Sequence, residues 1–324
     1  MVERLNMLVN VVVCFLNEKE NLLILRNRLT SVTRNSTGCR FEIILVDDGS
    51  TDGSTDLIKE WVSLENNVTL IRLSRNFGSH AAVVAGLQYC KGDCAVIMAA
   101  DLQDPPETIP ELVEEFKKGN DVVWACRSHR PGESLYTKLS STIYYQTMKR
   151  MGLPNMPPKG ADFLLIGRKV IDAVNKHPEK HTSVLAMILW MGFKQSMIYY
   201  VKQARHAGAS KWTFSKKIKL FIDSVVSFSY VPIRLMSAFG LLLAFAGFLY
   251  AMFVFVSRLA GWVITGTGFA ATMTVLLVGQ GSILLMLGIL GEYLWRAFDE
   301  SRGRPRFIVD EVVRHGSLDS RDRG

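Results

Sequence analysis

From Leu235 to Val256 the chain runs for about 22 residues without a charged side chain, and a second uncharged stretch, Leu259 to Gly291, follows Arg258. A helix of roughly 20 apolar residues crosses a hydrocarbon core of about 30 Å. The first third of the second stretch is rich in Gly and Thr and reads as a loop, leaving Ala270 to Leu290 as a second span. Arg205, Lys211, Lys216, Lys217, Lys219 and Arg234 precede the pair, and Arg296, Arg302, Arg304 and Arg306 follow it. By the positive-inside rule both ends face the cytoplasm. The competing reading is a hairpin of buried helices in a soluble protein. Phe214 to Tyr230 mixes Lys216, Lys217 and Lys219 with Phe, Ile and Val, the pattern of an amphipathic helix in the headgroup region. Gly240 and Ala244 have the small-xxx-small spacing that permits close helix contact, as in a homo-oligomer.

Ahead of the spans the chain has ordinary hydropathy. The net charge of +8 fits a membrane protein that is basic where it meets the cytoplasm. It does not point to nucleic acid, because zinc-finger spacing, an RNA-binding signature and a basic-aromatic stripe are all missing. Cys14, Cys39, Cys90, Cys94 and Cys126 are scattered and complete no zinc set, so they read as reduced thiols. Met7 to Leu16 is apolar but short. It is interrupted by Asn10 and lacks a basic leader, which favours a first strand over a signal peptide.

Val9–Phe15, Phe41–Val46, Val68–Leu73, Cys94–Met98 and Val122–Ala125 read as buried parallel strands. Helical patterns separate them: Asn21–Val32, a helix capped by Thr51 or Asp52 and running to about Trp61, Ala81–Cys90, and one opened by Pro105-Pro106-Glu107. Further on, Leu135–Met151 is amphipathic and Pro154–Lys159 is a proline-rich loop. Phe163–Ile166 reads as an edge strand, Ile171–Asn175 and Val184–Trp190 as helices, and the chain after Val313 as a disordered tail. The alternation predicts an α/β fold with a mostly parallel sheet, whose ligands bind beyond the carboxyl ends of the strands. The expected domains are 1–212 (catalytic), 213–233 (juxtamembrane), 234–294 (two-helix hairpin) and 295–324 (cytoplasmic tail).

Acidic motifs sit where two of these strands end. In Val46-Asp47-Asp48-Gly49-Ser50-Thr51-Asp52 the carboxylates can accept hydrogen bonds from a nucleobase N–H or ribose hydroxyls, and Gly49 allows a tight turn. In Asp101-Leu102-Gln103-Asp104-Pro105-Pro106-Glu107 a carboxylate can bind Mg2+ or Mn2+, the remaining ligands coming from water and a diphosphate. Such an ion neutralises a leaving nucleoside diphosphate. Arg127, Arg130 and Lys138 follow the fifth strand and are candidates for holding an anionic acceptor.

Together with Phe15-Leu16-Asn17-Glu18, Arg75-Asn76-Phe77-Gly78, Gly160-Ala161-Asp162-Phe163, Gly208-Ala209-Ser210-Lys211-Trp212 and Gly291-Glu292-Tyr293-Leu294, these motifs run through nearly the whole chain. In them the chain resembles the GT-A-fold (Rossmann-like) family 2 glycosyltransferases, in the polyprenyl-phosphate branch that includes dolichyl-phosphate mannose synthases and bactoprenol glucosyltransferases. The resemblance implies inverting transfer of a monosaccharide from a nucleotide diphosphate sugar, by analogy a UDP-hexose, to polyprenyl (undecaprenyl) phosphate at the inner membrane. It implies that Asn17, Glu18, Asp47, Asp48, Asp101 and Gln103 hold the nucleotide sugar, with Asp101 on the metal. It places Arg127, Arg130, Lys138 and Ser141 at the acceptor phosphate, closes Arg205, Ser210 and Lys211 over a phosphate, and gives Asp162 and Arg127 catalytic roles beside Asp101.

Two positions depart from that pattern. Ala99 stands where many relatives carry the first acid of Asp-Ala-Asp, which weakens the expected metal site, and Cys14 stands where relatives often have proline. Two other functions compete: a processive polysaccharide synthase, which would carry Gln-x-x-Arg-Trp and more spans, and a non-catalytic membrane adaptor, motivated by Ala99.

Overall fold

The computed structural model describes residues 7–128, 157, 162–177, 179–180, 182–203, 231–261 and 268–319. The expected helix at 135–151, the loop at 154–159 apart from residue 157, and the amphipathic segment 214–230 lie outside the described residues. Two compact units are present: residues 1–224 with 305–324, and residues 225–304.

The first unit is built on strands β1 (Met7–Phe15), β2 (Cys39–Asp47), β3 (Val68–Leu73), β4 (Cys94–Ala99), β5 (Val122–Arg127), β6 (Phe163–Gly167), β7 (Gln195–Tyr200), β8 (Val309–Arg314) and β9 (Ser317–Asp319). They form one sheet in the order β7-β5-β6-β4-β1-β2-β3-β8-β9. β1 pairs in parallel with β2 on one side and β4 on the other. The strand order therefore reverses at β1, which makes the crevice beyond its carboxyl end the expected ligand site. Helices α1 (Lys19–Asn35), α2 (Ser54–Leu64) and α4 (Ile109–Lys117) share one apolar core with Val9, Val11 and Val13 of β1 and with Ile43 and Leu45 of β2. α3 (Ser79–Gln88) lies on the other face, so close that a Cβ at Gly86 would meet Val12 Cγ1 at 2.4 Å. β1 is covered on both faces and accordingly reads as an almost unbroken apolar run.

Four expectations need correction. Phe163–Gly167 is not an edge strand: it lies between β4 and β5, antiparallel to both, with all five residues buried. The parallel sheet is therefore mixed. α2 starts at Ser54 behind a left-handed Gly53, so neither Thr51 nor Asp52 is its flanking residue. Asp52 still serves the helix, since its Oδ1 accepts the Ser54 amide at 3.0 Å. The helix at Pro105 opens as a 3-10 turn, Pro106–Thr108, before α4. Finally, the tail carries β8 antiparallel to β3 and β9 antiparallel to β8. Two more helices, α5 (Arg168–Lys176) and α6 (Val184–Trp190), follow β6.

The second unit contains α7 (Val231–Leu259) and α8 (Phe269–Ser301), both long and apolar enough to cross a membrane. Their apolar side chains are not buried: Leu241 is 73% and Leu277 69% exposed. Exposed apolar surface of this extent is what a lipid-facing hairpin presents, and it does not match the packing of buried core helices. Gly240 serves contact within the hairpin, where a Cβ would sit 3.0 Å from Met286 Cε.

β8 is held by more than its ladder. Ser74 N donates to Ile308 O at 3.0 Å, Lys59 pairs with Glu311 at 2.7 Å, and Val312 and Val313 are buried. Val313→Asp should therefore cost about 2–4 kcal/mol and visibly lower the melting temperature in detergent, while Asp310→Asn at an exposed position should not. Equal melting of the two variants would contradict a strand docked in the sheet.

Candidate active site

The ends of β1 and β2 are stitched together by their loops. Asp48 N donates to Phe15 O at 3.0 Å. Asn17 N donates to Ser50 Oγ at 2.9 Å, and Asn17 Oδ1 accepts the Thr51 amide at 2.8 Å. Glu18 N donates to Ser54 Oγ at 3.1 Å, and Glu18 Oε2 accepts Asn21 Nδ2 at 2.6 Å. Part of the polar capacity expected to meet a nucleotide thus shapes the loops that would receive it.

The acidic pair divides in the same way. Asp47 is fully buried, and its two oxygens accept the Ser50 amide at 2.7 Å and the Thr55 hydroxyl at 2.5 Å. Asp48 is 4% exposed and grips the next loop, accepting the amides of Phe77 at 2.7 Å and Gly78 at 2.9 Å. Burial pushes its carboxyl up to about 6, against the pull of those two amides. Gly49 lies so close to that loop that a Cβ would be 2.7 Å from the Arg75 carbonyl carbon, and its φ is +80°. Two independent reasons therefore require glycine there.

Among the described residues, the only non-glycine residues with left-handed backbone are Asn17 and Leu102, at φ 49° and 59°. Both sit just past strand tips, one in each half of the site. Leu102 is a bulky side chain, 2% exposed, for which this conformation is costly. Such strain persists where the surroundings over-determine a loop, as they do at ligand sites. Here Leu102 fills the core, and Asp101 Oδ1 accepts the Gln103 amide at 3.2 Å.

Around Asp101 the structure gathers several charges. Asp104 is buried and accepts the Tyr200 hydroxyl. Burial raises its pKa, with Tyr200, Lys202 and Arg127 opposing. Arg127, the last residue of β5, pairs with Asp162 at 3.1 Å, its side chain 10% exposed against 64% for Asp162. Burial would lower the Arg127 pKa, but Asp162, Tyr200 and Asp104 outweigh it and raise it. Arg127 Nε is buried without a hydrogen-bond partner among the described residues. Arg127 and Asp162 pair directly, and Lys202 acts electrostatically on both and on Asp101, whereas Arg130, Lys138, Ser141, Arg205, Ser210 and Lys211 lie outside the described residues.

No motif marked four further residues. Tyr200 and Lys202 follow from β7, an unpredicted strand whose period of two puts Ile198 and Tyr200 inward and Met197 and Tyr199 outward. Arg28 on α1 donates to Glu107 Oε1 at 2.8 Å and to Gln203 Oε1 at 3.0 Å, tying the end of the acidic loop to the segment that follows β7. Arg306 reaches in from the C-terminal return, donating to Thr182 O at 2.9 Å. It also acts on His80, which buries an unpartnered Nε2 among the described residues and whose pKa is lowered to about 4 by burial and then by Arg306, with Asp162 opposing. The cysteines are free, and burial pushes the thiols of Cys14, Cys90 and Cys94 up, away from reactivity.

The residues present fit one kind of metal site. Among the described residues no group of three His, Cys, Asp or Glu could enclose an ion. Ala99, level with Cys14 of β1, supplies no second carboxylate. Asp101 alone suits an ion completed by water and a diphosphate, as Mg2+ prefers, and not an all-protein cage.

Glycosyl transferase family 2 matches residues 10–174. A Bacillus subtilis protein described as an uncharacterized glycosyltransferase, YkcC, is 38% identical over 271 residues, covering 84% of each chain. An undecaprenyl-phosphate 4-deoxy-4-formamido-L-arabinose transferase from Pseudomonas paraeruginosa is 37% identical over 311 residues, covering 95% of this chain and 91% of the other. Among solved structures, mannosyltransferase PcManGT from Pyrobaculum calidifontis, in complex with GDP-Man and Mn2+, is 16% identical with a TM-score of 0.45, covering 89% of this chain and 87% of that one. The family match across half the chain, and relatives above 30% identity along most of it, show that this protein is a glycosyltransferase belonging to family 2.

Proposed function

We propose that the protein transfers a monosaccharide from a nucleotide diphosphate sugar, by analogy a UDP-hexose, to polyprenyl phosphate, inverting the anomeric carbon, on the cytoplasmic side of the inner membrane. The observation that carries this reading is the nine-tenths buried Arg127, paired with an exposed Asp162 and set in the same charge cluster as Asp101. It offers an anion-binding guanidinium at the site of a diphosphate, in a chain with two lipid-crossing helices. The Pseudomonas relative, which by name acts on undecaprenyl phosphate, supports the acceptor class.

The two halves of the site divide the donor between them. Asp48 and Asp101 follow β2 and β4, two strand spacings apart across β1, which is about 10 Å. The nucleoside lies along the Asn17–Glu18 and Asp48–Gly78 loops, and the diphosphate along Asp101–Gln103. An oxygen of the acceptor phosphate forms the new bond to the anomeric carbon. The bond from that carbon to the donor's β-phosphate oxygen breaks, and its electron pair leaves with the nucleoside diphosphate. The acceptor is already an anion near neutral pH, so no proton must be removed. Arg127 orients it and offsets its charge as it meets the diphosphate. A divalent ion at Asp101 would neutralise charge on the departing nucleoside diphosphate.

Orientation rests on the flanking basic residues and on connectivity. The chain leaves the α/β unit before residue 225 and rejoins it at Pro305, so the number of crossings between must be even. Ala260→Cys, in the connection between the spans, should react with a membrane-impermeant maleimide on intact cells. Protection there, with labelling only after lysis, would contradict this orientation.

A screen of nucleotide sugars with undecaprenyl phosphate, read by mass of the lipid product, tests the reaction. One donor should be consumed only when the lipid phosphate is present, and Asp101→Asn should reduce that rate on the order of 100-fold or more. Transfer to protein or polysaccharide without the lipid would refute the proposal.

Asp162 holds the guanidinium that the acceptor must engage. Asp162→Asn removes a competing charge, so the KM for polyprenyl phosphate should fall several-fold. The kcat should drop by much less than the roughly 100- to 10,000-fold contributed by a general base. A fall in kcat of that size with an unchanged KM would instead make Asp162 a base.

A further inference from the structure

Residues 200–203 leave β7 and run along the acidic loop, fixed at both ends. At one end the Tyr200 hydroxyl donates to Asp104, and Ser128 N donates to Tyr200 O at 2.9 Å. At the other, Gln203 N donates to Gln103 O at 3.0 Å, and Arg28 holds the Gln203 side chain at 3.0 Å. Lys202 lies between these pins, half-buried, and its ammonium acts electrostatically on Arg127, Asp104, Asp101 and Asp162.

Each carboxylate in this group already has a partner. Asp104 takes the Tyr200 hydroxyl, Asp162 pairs with Arg127, and Asp101 accepts the Gln103 amide. Lys202 makes no hydrogen bond or ion pair with any described residue, and Arg127 keeps a buried Nε without a partner there. Two cations thus stand close together with donors to spare, in a half-buried place where like charges repel and desolvation is costly. Burial and then Arg127 lower the Lys202 pKa, which reports the same crowding. A phosphate group is the ligand that would satisfy both, offering several strong acceptor oxygens and negative charge.

We infer that Lys202 is a substrate-binding residue that, with Arg127, forms a cradle for a phosphate group beside Asp101. This deepens the proposed function and rests on it for the identity of the phosphate: Arg127 engages the acceptor phosphate, and Lys202 reaches either that phosphate or the β-phosphate of the donor beside it. Lys202 acts electrostatically on both Asp101 and Arg127, and Arg127 pairs with Asp162, so the cradle belongs to the same charge cluster as Asp101. Lysine suits a site of this kind, because it acts as a point charge and imposes no bidentate geometry.

The test uses the full-length protein in detergent, with Lys202→Ala and the charge-preserving Lys202→Arg. Titration calorimetry measures binding of UDP and of GDP, each with and without Mn2+, and kinetics give the KM for undecaprenyl phosphate. Lys202→Ala should weaken one of these by about tenfold or more, and Lys202→Arg should recover most of the loss, with both variants melting like the wild type. Weakened nucleotide binding assigns the donor diphosphate, and a raised KM for the lipid alone assigns the acceptor. Unchanged affinity for UDP, GDP and lipid phosphate, or equal losses in the Ala and Arg variants, would overturn the inference. The nucleotide measurements do not depend on the acceptor. A wild type that binds UDP or GDP but transfers no sugar to the lipid would refute the proposed function, and a Lys202→Ala defect in that binding would still support the cradle.

Discussion

The site depends on the parallel register of β1 with its two neighbours. Phe15 lies opposite Asp47, and Cys14 lies opposite both Val46 and Ala99. Three strands therefore end at one level, and the three chains that leave them emerge on a single edge. Backbone groups at those tips lose their ladder partners, and buried amides and carbonyls must find replacements. They find them in one another: Phe15 O takes Asp48 N, and Cys14 O takes Ala100 N at 3.3 Å. A one-residue slip of β1 would turn Val9, Val11 and Val13 out of the core and separate these partners. The apolar register and the polar site are thus fixed by the same pairing.

Side chains continue the lacing that the strands begin. Asp47 and Asp48, expected to face a nucleotide, instead give most of their hydrogen-bonding capacity to Ser50, Thr55, Phe77 and Gly78. A carboxylate in a strand-end motif reads the same from sequence whether it contacts a ligand or holds the loop that does. Such loops must be rigid before substrate arrives, since a preorganised site needs no rearrangement at the moment of reaction. The left-handed Asn17 and Leu102 belong to the same arrangement, held against their intrinsic preference by the packing around them.

The five parallel strands were legible because each is a short apolar run closed by a turn or an acidic motif, a local signal. The strands that sequence reasoning missed or misplaced are defined by distant partners. β6 was expected at an edge, although its unbroken Phe163-Leu164-Leu165-Ile166 is the mark of an interior strand. β7 is short and opens with Gln195-Ser196, and only its alternation betrays it. β8 carries Asp310, Glu311 and Arg314 among its valines, and it becomes a strand by pairing with β3, far back in the chain. Lys202 escaped notice for a related reason: no local pattern marks it, and its place is set by Tyr200, Gln203 and the loop they grip. Asp101 and Asp162 stand in motifs that mark them, and Arg127 is marked only by its place at the end of the fifth strand. The return of β8 also changes the meaning of the apolar helices. They are an excursion from a domain that the chain completes afterwards, which supplies Arg306 and the strand beside β3.

The most direct measurement is a structure of the full-length protein in lipid with a nucleoside diphosphate and Mn2+ bound. The account predicts density for the base and ribose against the Asn17–Glu18 and Asp48–Gly78 loops, with the diphosphate beside Asp101 at the carboxyl end of β4. A nucleotide bound at the opposite edge of the sheet, or with its diphosphate remote from Asp101, would contradict it.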